Sequence, residues 1–386
     1  MSAAMREIFE DIDRWVAQGR RVALARVVAL DGSGPRDPGA AMAVSEDGEV
    51  AGSVSGGCVE GAVVTEALDA LSTGLPRLCT FGFSDEDAFS SGLTCGGVVH
   101  VFVEPLVPDA PGAPYVRVRE WVRAGVPCVL ATIVELADAP RSTAHAQCVL
   151  GATVAFRTEG EPVGSLGGPD LDRAVAEGAS DALRAGRVTT RHYGRGGEAD
   201  RRGVTVFFDV FAPPRRMIVL GAVDFTAALV QVAKLLDYRV TVCDARPAFA
   251  TTTRFPAADV VVVDWPHRHL EAVACELTAG DAICLLTHDE KFDVPAIVVA
   301  LRSAVGYIGA MGSRGTHARR LERLRSEGVS DADCARVMAP IGVDIGARTP
   351  EETAIAICAE IIAVRTGSPV PSLRSGAGPI HRRSAR

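Results

Sequence analysis

Several familiar signatures are missing from this chain. No Cys-x-x-Cys pair and no Cys/His cluster at zinc spacing occurs, which argues against a structural zinc site. Cysteine spacing of the iron–sulfur kind is missing too. Aromatic residues make up only 5% of a chain that is 48% hydrophobic, the balance of an α/β protein built from Val, Ala and Leu. Positive charge is in short supply. Forty Lys and Arg stand against 48 Asp and Glu, and the net charge of −8 is contrary to a general nucleic-acid binder. No apolar run reaches the length of a membrane span, and even Val260–Val263 is stopped by Asp264. The opening Met1-Ser2-Ala3-Ala4-Met5-Arg6-Glu7 lacks the apolar core of a secretory signal, so a cytoplasmic protein is expected. Its ten cysteines are then expected as reduced thiols rather than a disulfide framework.

Two short glycine–cysteine motifs are present: Ser55-Gly56-Gly57-Cys58-Val59-Glu60 and Thr94-Cys95-Gly96-Gly97. Paired glycines let backbone amides approach a ligand closely, and an adjacent cysteine can meet that ligand. From Val59 the pattern turns helical, with Val63, Ala67, Leu68 and Leu71 on one stripe and Gly74 as the stop. Cys58 is therefore expected at a helix start, where amides and the macrodipole favour thiolate. Such a thiolate suits sulfur chemistry, contact with a soft metal or anion capture. A buried cysteine in a tight turn is the competing reading. Cys243, Cys284 and Cys358 lie inside apolar patterns and are expected in the core.

Along the chain, residues 6–19 read as an amphipathic helix, followed by strands at Val22–Leu30, Ala40–Val44, Val50–Val54 and Val98–Val103. A weak repeat relates residues 23–74 to roughly 129–186. Ala25-Arg26-Val27-Val28 answers Ala131-Thr132-Ile133-Val134, and Asp69-Ala70-Leu71 answers Asp181-Ala182-Leu183. Gly56-Gly57 answers Gly167-Gly168, which sets Cys58 against Pro169 and the acid at Asp170. The expected divisions are 1–108, a second copy or middle segment over 109–212, a Rossmann-like domain over 213–367 and a basic flexible tail over 368–386. From Met217, short apolar strands alternate with helices, which predicts a doubly wound parallel sheet. The last helix opens Thr349-Pro350-Glu351-Glu352, a capping box with Pro in its first turn.

The turn after the first strand of that sheet keeps Gly221 of the dinucleotide fingerprint but has Val223 and Asp224 where a pyrophosphate needs room and positive potential. Asp244 ends the next strand, placed for a ribose hydroxyl. Thr287-His288-Asp289 and Gly312-Ser313-Arg314 follow two further strands, and the latter opens a basic helix suited to phosphate. Interdomain clefts often hold such ligands, so the cysteine motifs and these strand ends are expected to face one another.

Taken together, Gly-Gly-Cys58-Val-Glu, Thr-Cys95-Gly-Gly, Thr287-His288-Asp289, the run Tyr307 to Arg314 and the run Pro340 to Ala347 resemble the XdhC/CoxI family, accessory proteins of xanthine dehydrogenase and related molybdenum hydroxylases. The resemblance implies transient binding of the molybdenum cofactor (molybdopterin), support of its sulfuration with a cysteine desulfurase as partner, and delivery to the apo-hydroxylase. It makes Cys58 and Cys95 the reactive and metal-contacting residues. Gly56, Gly57, Glu60, Gly96, Gly97, Gly221, Asp244, His288, Gly312, Ser313 and Arg314 become cofactor-binding. A homodimer is compatible with this reading, and neither nucleic acid nor membrane is an expected partner. The family commonly has Gly-x-Gly-His-Val where this chain has Gly221-Ala222-Val223-Asp224-Phe225. The alternative is an NAD(P)-dependent oxidoreductase using the Rossmann-like domain, although Val223 and Asp224 make NAD(P) an unfavoured ligand.

Overall fold

The computed structural model describes residues 3–82, 97–106, 113–137, 148–199, 203–287 and 289–370. Cys95, Gly96, His288 and residues 371–386 of the tail lie outside them. The chain is mixed α/β and divides into two units between Pro213 and Pro214.

The first unit is built twice from one plan. Its first copy runs α1 (Ala3–Ala17), β1 (Val22–Asp31), β2 (Ala41–Ser45), β3 (Val50–Gly52), α2 (Glu60–Thr73), β4 (Arg77–Gly82) and β5 (Val98–Pro105). The second runs α3 (Pro114–Arg123), β6 (Cys128–Leu136), β7 (Thr153–Arg157), β8 (Val163–Gly164), α4 (Pro169–Ala185), β9 (Thr189–Tyr193) and β10 (Val204–Phe211). The two sheets have matching orders, β3-β2-β1-β5-β4 and β8-β7-β6-β10-β9.

Register agrees as well as order. Arg26 faces Phe102 where Thr132 faces Phe207, and a bulge skips Val28 in one sheet and Val134 in the other. Gly52 and Gly164 each press on a carbonyl of the neighbouring strand, at Ala41 and Thr153. Gly74 and Gly186 each end a helix in the left-handed conformation. Keeping the spacing between these fixed points sets Cys58 opposite Asp170 and Glu60 opposite Asp172. This corrects the sequence pairing of Cys58 with Pro169, which followed the glycine doublets instead of the helix ends.

Each copy lays its own helix on one sheet face. Val63, Ala67, Ala70 and Leu71 of α2 pack on Ala25, Val27 and Val101, and α4 does the same on the second sheet. Each such buried Val or Leu contributes about 1.5–3 kcal/mol relative to exposure. The opposite sheet faces share a core with α1 and α3, where the rings of Phe9 and Tyr115 lie 5.9 Å apart. The relation is twofold in character: β1 approaches β9 as β6 approaches β4, and Gly39 meets Val188 as Gly151 meets Pro76. At its centre Val28, Phe102, Val134 and Phe207 form one cluster. Beside them Arg26, fully buried, donates to Glu104 and reaches Thr132, its own counterpart, at 3.3 Å. Asp209, the counterpart of Glu104, lies 3.9 Å from the same guanidinium. One cation thus stands beside two acids, Asp209 fully buried and Glu104 largely so.

The second unit is a Rossmann-like sheet. In order come β11 (Arg216–Leu220), α5 (Asp224–Leu235), β12 (Arg239–Asp244), β13 (Val260–Val263), α6 (Pro266–Val273) and β14 (Ala282–Leu285). There follow α7 (Glu290–Arg302), β15 (Tyr307–Ala310), α8 (Arg314–Ser326), α9 (Asp331–Cys334), β16 (Val337–Met338) and α10 (Pro350–Thr366). The strands pair in parallel in the order β13-β12-β11-β14-β15-β16, and the order reverses between β11 and β14. Helices α5 and α10 cover one face and α7 the other. The capping box at Thr349 and Glu352 forms as expected. Just before β15, Gly306 lies so close to Ala279 that a Cβ on it would stand 2.0 Å from the Ala279 carbonyl oxygen.

Candidate functional site

The loop from Ser53 to Glu60 is organised by its own last residue. The Glu60 carboxylate accepts hydrogen bonds from the amides of Ser55 at 2.9 Å, Gly56 at 2.9 Å, Gly57 at 2.8 Å and Val59 at 3.2 Å. The hydroxyls of Ser53, at 2.6 Å, and of Ser55 also donate to it. Ser55 Oγ in turn accepts from the amides of Cys58 and Val59, both at 2.9 Å. Burial would raise the Glu60 pKa, but these donors outweigh it and hold the carboxyl at about 2 against an ordinary 4.5. Sequence reasoning placed Gly56, Gly57 and Glu60 around a ligand. In the structure their amides already have an acceptor within the chain, and Glu60 acts by shaping the loop.

Gly56 and Gly57 have φ of +79° and +121°, with nothing within 4 Å of where a Cβ would stand. Backbone conformation, not crowding, requires glycine there. What the loop presents is Cys58, half-buried against the α2 core one residue before the N-cap Val59. The second copy repeats the fastening. Asp172 accepts from Ser165 Oγ and from the Leu166 amide, both at 2.7 Å. Where Cys58 would stand there is exposed Asp170.

The expected proximity of Cys58 to Cys95 concerns a residue outside the described ones, as does the assignment of Gly96. Gly97 is buried, and a Cβ on it would stand 2.2 Å from the Ser33 carbonyl oxygen. Burial pushes the thiols of Cys243 and Cys358 up to about 12, and Cys284 well above its usual value. These are core residues, as expected. Among the described residues no group of three or more His, Cys, Asp or Glu is arranged to hold a metal ion, and no helix is long and apolar enough to cross a membrane.

In the second unit a cavity of about 460 Å³ opens at the carboxyl ends of β11, β12 and β14, the crevice where open α/β sheets bind ligands. Gly221 is there for close packing: its φ is +112°, and a Cβ would stand 2.8 Å from Thr287 Cγ2 and 3.1 Å from the Thr287 nitrogen. Two amides of its turn are engaged, Ala222 with Asp244 at 2.8 Å and Val223 with Thr226 Oγ1 at 3.4 Å.

Asp244, buried, also accepts from the amide, Nε and Nη2 of Arg246, at 2.9, 2.9 and 2.8 Å. Burial opposes its ionisation, yet these donors hold its pKa below the usual carboxylate range. Both oxygens are occupied twice. Asp244, which the sequence placed for a ribose hydroxyl, lines the cavity and within the chain holds Arg246 and the Gly221 turn. The arginine two residues on was the sequence signal for this pairing.

Gly312 and Ser313 lie on the loop after β15, Arg314 opens α8, and none of the three is among the cavity's lining residues. Ser313 caps α8 by accepting from the Thr316 amide at 3.1 Å, and Arg314 is exposed. Beneath them Arg320 Nη2 joins Asp293, at 2.7 Å, to the Met311 carbonyl, at 2.9 Å, while Thr287 donates to Asp293. Sequence reading did not find this tie between the loops after β14 and β15.

Known proteins share this architecture. A model described as the XdhC Rossmann domain matches residues 217–361, and one for the XdhC and CoxI family matches 15–82 and 121–194. The latter two stretches begin at Trp15 and Trp121 and end at Gly82 and Gly194, equivalent points of the two copies. A Bacillus subtilis protein named as a probable component of xanthine dehydrogenase is 28% identical over 357 residues, 92% of this chain and 96% of the relative. The Escherichia coli molybdenum cofactor insertion chaperone PaoD is 25% identical over 347 residues, 90% of this chain and 84% of its own. A Bacillus halodurans crystal structure described as a xanthine dehydrogenase has the same fold, with a TM-score of 0.68 at 24% identity over 94% of this chain and 97% of that one. Both copies of the first unit and the sheet of the second are matched, and the chain belongs to the XdhC/CoxI family.

Proposed function

We propose that the protein is an accessory factor that binds the molybdenum cofactor transiently, supports its sulfuration and delivers it to a xanthine dehydrogenase-type hydroxylase. The single observation that carries this reading is the difference between the two equivalent loops. Both are fastened by an acid to a serine hydroxyl, but only the first carries a cysteine, Cys58, on its rim. A fold duplicated with its fastening intact and its thiol in one copy separates a chemical copy from a structural one. The names of two relatives, a molybdenum cofactor insertion chaperone and a xanthine dehydrogenase component, support the choice of cargo and recipient.

In this reading Cys58 supplies the soft sulfur that meets the metal end of the cargo. A cysteine desulfurase supplies the sulfur to be installed, and Gly312, Ser313 and Arg314 of the second unit are assigned to a phosphate group. The setting is the cytoplasm, and the protein acts by holding and handing over rather than by turnover. Cys58→Ala is expected to fold normally and to retain less than a tenth of the wild-type molybdenum and pterin. Activation of an apo-hydroxylase should fall in parallel. Undiminished cofactor content and activation in the variant would remove Cys58 from the function.

A further inference from the structure

The cavity in the second unit has an unusual wall. Arg246 lines it, and its guanidinium is fixed on two sides. Asp244 takes Nε and Nη2 in a bidentate fork at 2.9 and 2.8 Å. The ring of Phe249 lies 4.3 Å from the guanidinium carbon. Phe249 is in turn backed by Arg254 at 5.3 Å, and Arg254 donates to the Ala222 and Phe249 carbonyls. A side chain that ordinarily samples many rotamers is thereby held as a flat, pre-oriented plate, which lowers the entropy lost when something stacks on it. Its charge is already met by Asp244, so the plate offers a surface more than a cation. Phe292 also lines the cavity, and its ring centre lies 5.0 Å from that of Trp265, tilted by 45°; Trp265 is itself 39% exposed.

We infer that this cavity binds a planar nitrogen heterocycle, a nucleobase or a pterin ring, which stacks on the Arg246 guanidinium. Flat heteroaromatic rings stack on arginine planes and aromatic faces alike. Asp244 and Phe249 are positioning residues for the plate. The inference stands on the second unit alone and does not rest on the role given to Cys58.

The test uses the full-length protein and follows Trp265 fluorescence, since Trp15 and Trp121 are buried. The probes are AMP, GMP, CMP, NADH and neopterin, with ribose 5-phosphate and inorganic phosphate as ringless controls. At least one ring-bearing probe is expected to bind and the controls not to compete. Which probe binds tells a nucleotide source from a pterin one. Arg246→Lys keeps the charge and loses the plate, so it is expected to weaken binding roughly tenfold. Phe249→Leu, which leaves the fork in place, is expected to weaken it less. Equal affinity in Arg246→Lys, equal competition by the ringless phosphates, or binding by none of the probes at millimolar concentration would overturn the inference. Cofactor delivery through Cys58 could survive each of those results, so the two readings fail separately.

Discussion

Glu60 shows how one residue can organise a whole loop. Six donors converge on its carboxylate, and the resulting pKa of about 2 has a definite consequence for stability. A carboxyl whose pKa is depressed on folding stabilises the protein above its ordinary value of 4.5, and that contribution is lost as pH falls toward 2. Glu60→Gln is therefore expected to cost about 1–2 kcal/mol at neutral pH, a figure discounted because the group is partly exposed to solvent. The gap between wild type and variant should narrow at about pH 3. Urea unfolding at the two pH values checks this, and a gap that does not change with pH would mean the carboxylate charge plays no part. The Ser-Gly-Gly-Cys-Val-Glu string is legible as a turn into a helix. That its acid folds back to occupy its own amides is not, because hydrogen-bond direction depends on the path of the loop.

At the scale of elements, turn and cap signals served well and strand ends less so. Gly74 stops its helix as its sequence context predicts, and the run Val260–Val263 is a strand that ends before Asp264. Several strands were not marked in the sequence, β4 and β16 among them. β4 mixes Arg77 and Thr80 with Leu78, Cys79 and Phe81 on a sheet edge, and β16 is two residues long. Edge strands gain their place from a partner's unpaired backbone rather than from their own periodicity. The Gly221 turn was legible as a glycine turn but not for its cause, since the atoms that exclude a Cβ belong to Thr287 and Leu286, far along the chain. Gly221→Ala must both hold a positive φ and displace the end of β14. It is expected to destabilise the protein by about 2 kcal/mol or more. Thermal unfolding of the full-length variant checks this, and an unchanged midpoint would show that the turn can relax.

Over the whole first unit, the two copies meet around an asymmetric charge. An arginine stands in one copy and a threonine at the matching position of the other, and that guanidinium lies beside both Glu104 and Asp209. Burial raises the Glu104 pKa while Arg26 opposes that shift. Arg26→Met would take its guanidinium away from both acids, and a loss of about 3–5 kcal/mol is expected. Adding Glu104→Gln and Asp209→Asn should recover part of that loss by removing the charges that need compensation. Equilibrium unfolding of the single and triple variants measures it. A cost below about 1 kcal/mol for Arg26→Met would mean that apolar packing of Val28, Phe102, Val134 and Phe207 alone joins the copies.

Local physics is what the sequence alone determined. Apolar periodicity set the helices and inner strands, glycines and the Thr349 capping box set their ends, and the repeated order of elements disclosed the duplication. Each of these depends on residues a few positions apart. The family resemblance added the expectation of a cargo and partners, which no local pattern carries. Tertiary structure decided the rest: the twofold arrangement of the copies around Arg26, the pairing of Cys58 with Asp170, and the order reversal between β11 and β14 that opens a cavity. It also decided that Asp244 holds an arginine. Those outcomes depend on which distant groups share a buried space, and burial is settled only once the sheets have closed.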